Sequence, residues 1–367
     1  MDNQLRVIFF QLLRIGLWGK GELSIFTKLK EQEWSQIFAW AIPHTVEGII
    51  FDSFAFLNED QLPPQSLRLK WAVRVDQIER HNIEMNKVIA SQYSAFKELG
   101  IQPILQKGQG VAQLYLNPLH RICGDIDWHF EDNGYAIARK YIKEKGIIVE
   151  DTKSFSLHYN YDNQFIEHHK QLFDLRNPLI QPYLRSISKY YREKQGILKI
   201  EDVVVRILAP ELQLFQVNSH ILKHLITFGI GLRQFCDSAR LYAQYSNQID
   251  AEALKKIYQK TGILKWTHLL HQILVNYIGL PKSNLPFPYP ENIDSAWMLE
   301  EIWFGGNFGY HDKRYAEGKV NNAVSVHPDG AKRLWQNFKR YLPYAPQEAI
   351  FFPIMHFYSK FIGIDRD

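Results

Sequence analysis

The chain has 367 residues, of which 46% are hydrophobic, enough for a sizeable core and for two or three domains. Its formal net charge of +4 is modest for this length, so the charge neither requires nor excludes a nucleic-acid partner. Only Cys123 and Cys236 are present, which argues against a disulfide framework and favours a reducing compartment.

The N-terminal stretch MDNQLRVIFFQLLRIGLW predicts an amphipathic helix. Arg6, Gln11 and Arg14 interrupt its apolar residues, so it lacks the apolar centre of a signal peptide. No run in the chain approaches the roughly 18 apolar residues that a membrane-spanning helix needs. These patterns predict a soluble, cytoplasmic protein without a membrane partner.

The rest of the first hundred residues also predicts helices. Residues 32–57 suggest two short helices that are broken near Pro43. The turn LPPQS at 62–66 precedes a long helix, for which Ser66 is the expected N-cap. Apolar residues recur at helical spacing from Trp71 to Leu99, and Gly100 is expected to end the helix.

From residue 101 the pattern changes to short strands and helices. IQPIL predicts a strand, KGQG a turn, VAQLYL a helix and ICGDIDWHF a second strand. Residues 135–145 predict a helix and 147–150 a short strand. Residues 154–173 predict a β-hairpin that turns at 160–163, and GILKIEDVVVRIL predicts another hairpin or edge strands.

Helices return at Ala209, with Pro210 at a favoured first-turn position. Later helical patches are predicted at 231–245, 251–261, 264–278, 293–303, 329–341 and 347–361, and a glycine-rich exposed loop at 304–320. The chain is therefore predicted to be α+β, with a small mixed β-sheet core between two helical regions. The predicted boundaries are 1–100 for the N-terminal helices, 101–208 for the core and 209–367 for the C-terminal helices.

The stretch GDIDW at 124–128 places two acids one residue apart in an apolar run. On a strand, Ile126 and Trp128 would share an apolar face, and Asp125, Asp127 and His129 would share the other. Two carboxylates about 5 Å apart repel by roughly 3 kcal/mol at an effective dielectric near 20. Water, hydrogen bonds or a cation must offset that cost, and a solvated edge strand is the alternative to a metal site.

A third acid, Glu167, is predicted in mid-strand about forty residues later, on the strand face that Phe165 and His169 share, with Asp162 and Asp174 as rivals at turns. Clusters of carboxylates suit Mg²⁺ or Mn²⁺, which prefer oxygen ligands. Glu167 could hold the ion or accept a proton from an attacking hydroxyl. The turn at Lys107 and Gly108 leads into a helix and would leave backbone N–H groups free for a phosphate.

Histidines accompany these acids. His129 and His169 are expected to hydrogen-bond a site carboxylate, with ordinary sheet histidines as the alternative. Arg121 is expected to pair with Asp125 or Asp127, or to contact phosphate. The histidines at 220 and 224 lie one turn apart on a helix without the acidic partner of a known metal motif, so we predict hydrogen bonds between helices for them.

The stretch KGQGVAQLYLNPLHRICGDIDW resembles the polymerase-β-like nucleotidyltransferase superfamily, and most of all a bacterial family of mostly uncharacterised nucleotidyltransferases. That family's pattern has Lys-Gly, then Ala and Tyr-x-x-Pro, then Arg and Gly-Asp-Ile-Asp, followed by an acid on a later strand. The matching positions are Lys107-Gly108, Ala112, Tyr115, Pro118, Arg121, Gly124-Asp125-Ile126-Asp127 and Glu167-His168-His169. The resemblance spans roughly residues 30–245.

The resemblance implies transfer of a nucleoside monophosphate from a nucleoside triphosphate to an acceptor, with release of pyrophosphate. Asp125, Asp127 and Glu167 would bind Mg²⁺ or Mn²⁺ and carry catalysis. The nucleotide would contact Lys107, Gly108, Gln109, Arg121 and Gly124. The chain departs from the wider superfamily at the turn, which reads Lys-Gly-Gln, and in the spacing of 17 positions from Gly108 to Asp125.

Two alternatives remain open from the residues. A non-catalytic module would bind a nucleotide or a partner and keep the acids as remnants. A phosphodiesterase or another Mg²⁺-dependent hydrolase would use the same carboxylates with water. The acceptor, which could be a small molecule, a sugar, a protein or an RNA end, is not indicated by the sequence.

Overall fold

Seven strands form one mixed sheet in the middle of the chain. The computed structural model describes residues 2–21, 28–151, 156–309, 312, 314 and 330–361. The sheet order is β3-β4-β5-β2-β1-β7-β6, with β2 parallel to β5 and β1 parallel to β7. The strands are β1 Ile104–Gln106, β2 Asp125–His129, β3 Glu150–Asp151, β4 Ser156–Tyr161, β5 Gln164–His169, β6 Gly196–Ile200 and β7 Val203–Ile207.

Helices precede, interrupt and follow this sheet. The first region contains α1 Asp2–Trp18, α2 Glu31–Ala41, α3 Glu47–Asp52 and α4 Gln65–Glu98. Within the sheet region lie α5 Gly108–Ala112, α6 Gly134–Glu144 and α7 Gln181–Tyr190. The last region contains α8 Pro210–Ile226, α9 Leu232–Tyr245, α10 Ala251–Lys260, α11 Leu264–Ile273, α12 Ala296–Gly305, α13 Gly330–Tyr341 and α14 Pro346–Phe361.

This architecture confirms the predicted α+β class, while several element boundaries differ. α4 begins at Gln65 after Pro64, and no side chain caps it, so the expected N-cap role of Ser66 is wrong. Gly100 has φ +75° and follows the end of α4 as predicted. The predicted VAQLYL helix starts earlier, at Gly108, and ends at Ala112. The predicted loop 304–320 lies mostly outside the described residues.

Two hydrophobic cores hold the described part of the chain together. The larger core combines the N-terminal and C-terminal helices, and includes Trp34, Trp71, Phe215 and Phe235. The smaller core packs the C-terminal half of α4 and the helix α6 on one face of the sheet. Burial of apolar surface stabilises a fold by about 25 cal/mol per Å². The two helical regions therefore stabilise each other through the larger core.

None of the helices that the structure describes combines the length and the apolar character that crossing a bilayer requires. The longest, α4, has 34 residues but carries charged side chains along its exposed face.

Acid is expected to weaken the C-terminal helical region through His271 on α11. This ring is fully buried, and its Nε2 lies 2.9 Å from the hydroxyl of Tyr242. Burial, and then the nearby His268, lower the pKa of His271 to about 3. The unfolded chain binds a proton below pH about 6.5 and the folded chain does not, so stability falls as the pH drops from about 6.5 towards 3.

We therefore expect the His271→Gln variant to lose less stability than the wild type between pH 7.0 and 5.5. One histidine that is protonated in the unfolded chain but stays neutral in the folded chain lowers the free energy of unfolding by about 1.2 kcal/mol over this interval. Urea unfolding at the two pH values measures the difference for each protein. Equal losses in the wild type and the variant would show that His271 is protonated in the folded chain.

Candidate functional site

The strand β2 presents the predicted acidic face. Asp125 is partly exposed and Asp127 is buried on one face, while Ile126 and Trp128 enter the smaller core on the other. The indole Nε1 of Trp128 donates a 2.8 Å hydrogen bond to Gln92 of α4. This packing fixes which face of the strand meets the core, and the two aspartates are left on the opposite face.

The parallel pairing of β2 with β5 brings the third acid to the aspartates. Asp127 stands opposite Glu167 and His129 opposite His169 in this register. His168 points to the other face, where its Nε2 lies 2.8 Å from the hydroxyl of Tyr159. The predicted sharing of one face by Glu167 and His169 is therefore confirmed.

Three side chains meet at this point of the sheet. The Nε2 of His169 lies 2.6 Å from Asp127 Oδ1 and 3.2 Å from Glu167 Oε2. Asp127, Glu167 and His169 each offer one ligand atom, and these atoms lie within 4.8 Å of one another. Asp125 lies outside this group, although it shares the strand face. These three side chains could therefore hold a metal ion.

The turn before α5 adds a cation to the group. Lys107 has φ +42° and ψ −136°, a backbone conformation that residues other than glycine rarely adopt. Its Nζ lies 3.3 Å from Asp127 Oδ2, and its side chain is 18% exposed. The ion pair is the compensation that we identify for the strained turn.

The neighbouring charges and the burial of the site shift the pKa values of His169 and Asp125. Burial disfavours a charged imidazole, but the hydrogen bonds to Asp127 and Glu167 outweigh it and raise the pKa of His169 to about 9. Burial, and then the negative charge of Asp127, raise the pKa of Asp125 to about 6. At neutral pH the carboxylates therefore face two positive groups, Lys107 and His169.

A second histidine, on β4, holds the other side of Glu167. The Nδ1 of His158 lies 3.2 Å from Glu167 Oε1, and its Nε2 lies 2.7 Å from the hydroxyl of Ser156. Burial opposes ionisation of Glu167, but the hydrogen bonds from His158 and His169 keep its pKa below the usual value. Sequence reasoning gave His158 no role at the site. The β4–β5 hairpin, which pairs residue 158 with residue 167, was the available signal.

Arg121 occupies a different place from the one predicted. Its Nε and Nη2 lie 3.0 and 2.5 Å from the two carboxylate oxygens of Asp237, and Nη1 donates to the carbonyl of Ile122. The hydroxyl of Tyr115 donates to the same carboxylate at 2.6 Å. The expected pairing of Arg121 with Asp125 or Asp127 is therefore wrong, because Asp237 on α9 binds this buried guanidinium and holds the chain that enters β2.

Two further residues with predicted contacts, His129 and Gln109, bond other groups in the structure. His129 bonds the main-chain carbonyl of His169, with Nδ1 at 3.2 Å, and no bond to a site carboxylate is found for it among the described residues. The side chain of Gln109 is buried and donates to Asn82 of α4 at 2.8 Å. This bond holds the Gln109 side chain against α4.

The two glycines near the acids differ in the space around them. Gly108 has φ +35°, and a Cβ there would lie 2.9 Å from the Sγ of Cys123. A Cβ at Gly124 would meet no atom within 4 Å. We expect Gly108→Ala to reduce the free energy of unfolding by about 1–3 kcal/mol. Gly124→Ala is expected to change it by less than about 0.5 kcal/mol. Urea unfolding measures both.

This pair also tests the predicted nucleotide contact at Gly124. If a nucleotide lies against this residue, the added methyl group lowers nucleotide affinity while the fold keeps its stability. Equal destabilisation by both alanine variants would contradict the difference in space around them.

Comparison with known proteins identifies the family. Residues 30–278, about two thirds of the chain, match the family described as uncharacterised nucleotidyltransferase. Among curated proteins, none matches this chain. The solved structures that are similar include an antigenic nucleotidyltransferase-like protein from Paracoccidioides brasiliensis. It is 16% identical with a TM-score of 0.33, and the match covers 48% of this chain and 88% of that one. By the family match, the chain belongs to the uncharacterised nucleotidyltransferase family.

Proposed function

We propose that this protein is a metal-dependent nucleotidyltransferase that transfers a nucleoside monophosphate from a nucleoside triphosphate to an acceptor hydroxyl. The observation that carries the proposal is the convergence of Asp127, Glu167 and His169 within 4.8 Å, beside Asp125, in a chain of a nucleotidyltransferase family. The acceptor oxygen attacks the α-phosphorus, and the bond to the bridging oxygen breaks. Its electron pair leaves with pyrophosphate, and the hydroxyl proton passes to a site carboxylate or to water.

The side chains present fit a hard divalent cation. Asp127 and Glu167 supply oxygen ligands, and Asp125 offers a third from the same strand face. The positive groups of Lys107 and His169 lie against these oxygens, which indicates that the cluster requires positive charge. A bound Mg²⁺ or Mn²⁺ would neutralise charge on the α-phosphate and favour loss of the acceptor proton.

The other residues position the reactants. His169 and His158 hold Glu167 from its two sides, so that its carboxylate keeps one orientation. The ammonium of Lys107 stays charged, because the surrounding carboxylates outweigh its burial and raise its pKa. Once a cation holds Asp127, this ammonium is available to the phosphate oxygens. The open space beside Gly124 is where we place part of the nucleotide.

Label transfer from the α-phosphate tests the proposal. The protein is incubated with each of the four α-³²P-labelled nucleoside triphosphates, Mg²⁺ or Mn²⁺, and small-molecule, protein and RNA fractions of a cell extract. We expect metal-dependent release of pyrophosphate together with label on one of these fractions. Asp125→Ala is expected to weaken the transfer and the thermal stabilisation by nucleotide and metal.

The other results separate the alternatives. Free labelled nucleoside monophosphate with no labelled acceptor would indicate a hydrolase. Binding of nucleotide that is unaffected by metal and by Asp125→Ala, without pyrophosphate release, would indicate a non-catalytic module. Either result contradicts the transferase proposal.

A further inference from the structure

A second charged cluster adjoins the acidic group. It consists of Asp174, which follows β5, and of His220, Lys223 and His224 on α8. The ammonium of Lys107 interacts electrostatically with both Asp127 and Asp174. The two clusters are therefore neighbours, with Lys107 as the residue common to both.

The geometry of this cluster places several nitrogen atoms around one carboxylate. The Nδ1 of His220 lies 2.8 Å from Asp174 Oδ2, and the Nζ of Lys223 lies 3.5 Å from Asp174 Oδ1. The rings of His220 and His224 are 4.4 Å apart between centroids. Positions 220, 223 and 224 share one helix face because residues three and four apart are neighbours. The predicted bonds between helices are replaced by a bond from His220 to Asp174.

Positive and potentially positive groups outnumber the carboxylate. Lys107 and Lys223 are ammonium groups, and two imidazoles stand beside them. Among the described residues, no hydrogen-bond partner is found for Nε2 of His220 or for either ring nitrogen of His224. The side chains of Lys223 and His220 are only 17% and 19% exposed. His220, Lys223 and His224 are only partly buried, so their free nitrogen atoms can be reached from solvent, and an anionic ligand there would accept charge-assisted hydrogen bonds from them.

We propose that Lys223, His220 and His224 bind the two terminal phosphates of the nucleoside triphosphate, with Asp174 holding His220 in place. This inference rests on the proposed function, which puts the α-phosphate at Asp127 and Glu167. As the bond to the bridging oxygen breaks, negative charge grows on the pyrophosphate, and fixed cations next to it stabilise that charge. Burial, and then the positive charge of Lys107, lower the pKa of His220 to about 4, and a phosphate beside the ring would oppose this by favouring the charged form.

Inorganic tripolyphosphate probes phosphate binding at this cluster without any contribution from a nucleoside. Isothermal titration calorimetry of the full chain in EDTA removes any contribution of a metal ion. We expect Lys223→Gln and His224→Gln each to weaken tripolyphosphate binding about tenfold, the loss of one charge-assisted hydrogen bond. Lys223→Arg keeps the charge and is expected to bind within about threefold of the wild type. Lys199→Gln, on the exposed side of β6, is the matched control and is expected to bind like the wild type.

Several outcomes would overturn the proposal. They are absence of tripolyphosphate binding by the wild type, unchanged affinity in both cluster variants, and equal weakening by Lys199→Gln. Circular dichroism and thermal unfolding verify that each variant is folded, and Lys223→Arg gives a second folded variant at the same position. The affinity for AMP is expected to be the same in Lys223→Gln and in the wild type, because AMP lacks the terminal phosphates.

The label-transfer assay distinguishes this failure from failure of the proposed function. If label is transferred and Lys223→Gln has wild-type KM and kcat, the phosphate site is wrong and the transferase function stands. If the cluster variants weaken tripolyphosphate binding as expected but no label is ever transferred, the phosphate site stands and the transferase function is wrong.

Discussion

Replacing Asp127 with Asn is expected to lower nucleotide transfer about a thousandfold, on the order of 4 kcal/mol in activation free energy. Asp127 is 3% exposed and contacts both Lys107 and His169, so its carboxylate lies at the centre of the acidic group. The amide keeps the shape but loses the charge that a divalent cation requires. Transfer of α-³²P label and metal-dependent thermal shift measure the loss.

Asp162→Asn provides the matched control for this variant. Asp162 is exposed in the turn before β5 and has φ +48°, a conformation that Asn also tolerates. It undergoes the same chemical change outside the site and is expected to retain wild-type transfer. More than a tenth of wild-type transfer in Asp127→Asn would show that this carboxylate is not required.

Replacing Asp237 with Ala is expected to reduce the free energy of unfolding by about 3–5 kcal/mol, because Arg121 would remain buried without its partner. Arg121 is 4% exposed, and Asp237 also accepts from Tyr115. The chain leading into β2 loses its anchor as well, so transfer is expected to fall with stability. Urea unfolding measures the stability, and label transfer measures the activity.

Two comparisons define the origin of this loss. The double variant Arg121→Met, Asp237→Leu removes both charges and is expected to recover part of the stability, since apolar residues often replace a buried ion pair without loss. Asp76→Asn breaks the exposed pair with Arg80 and is expected to cost less than about 1 kcal/mol. A double variant less stable than Asp237→Ala would show that the cost does not come from the unpaired charge.

The alternation of side chains predicted the best-defined part of the site. A period of two residues put Asp125 and Asp127 on one face of β2 and Glu167 and His169 on one face of β5, and the structure confirms both. The turn signals likewise predicted the hairpin that carries Glu167. Local patterning succeeds here because each strand has one face in a core, which fixes the orientation of every side chain.

Contacts between distant parts of the chain could not be predicted from local sequence patterns. Arg121 and Asp237 are separated by 116 positions, and no local pattern in either segment indicates that the two residues pair. The strained turn that brings Lys107 to Asp127 could not be predicted either, because Lys at this backbone conformation contradicts local preference. Such exceptions are expected where a chain places charges for function.

The larger hydrophobic core joins segments from opposite ends of the chain. Phe9 packs against Trp303 with 5.2 Å between ring centroids, and the indole of Trp18 donates to the carbonyl of Ile278 at 2.8 Å. During synthesis the N-terminal helices therefore emerge long before their packing partners. The apolar surface that α1 buries against these partners therefore stays exposed until the last third of the polypeptide has been made, and exposed surface of this kind favours aggregation of incomplete chains.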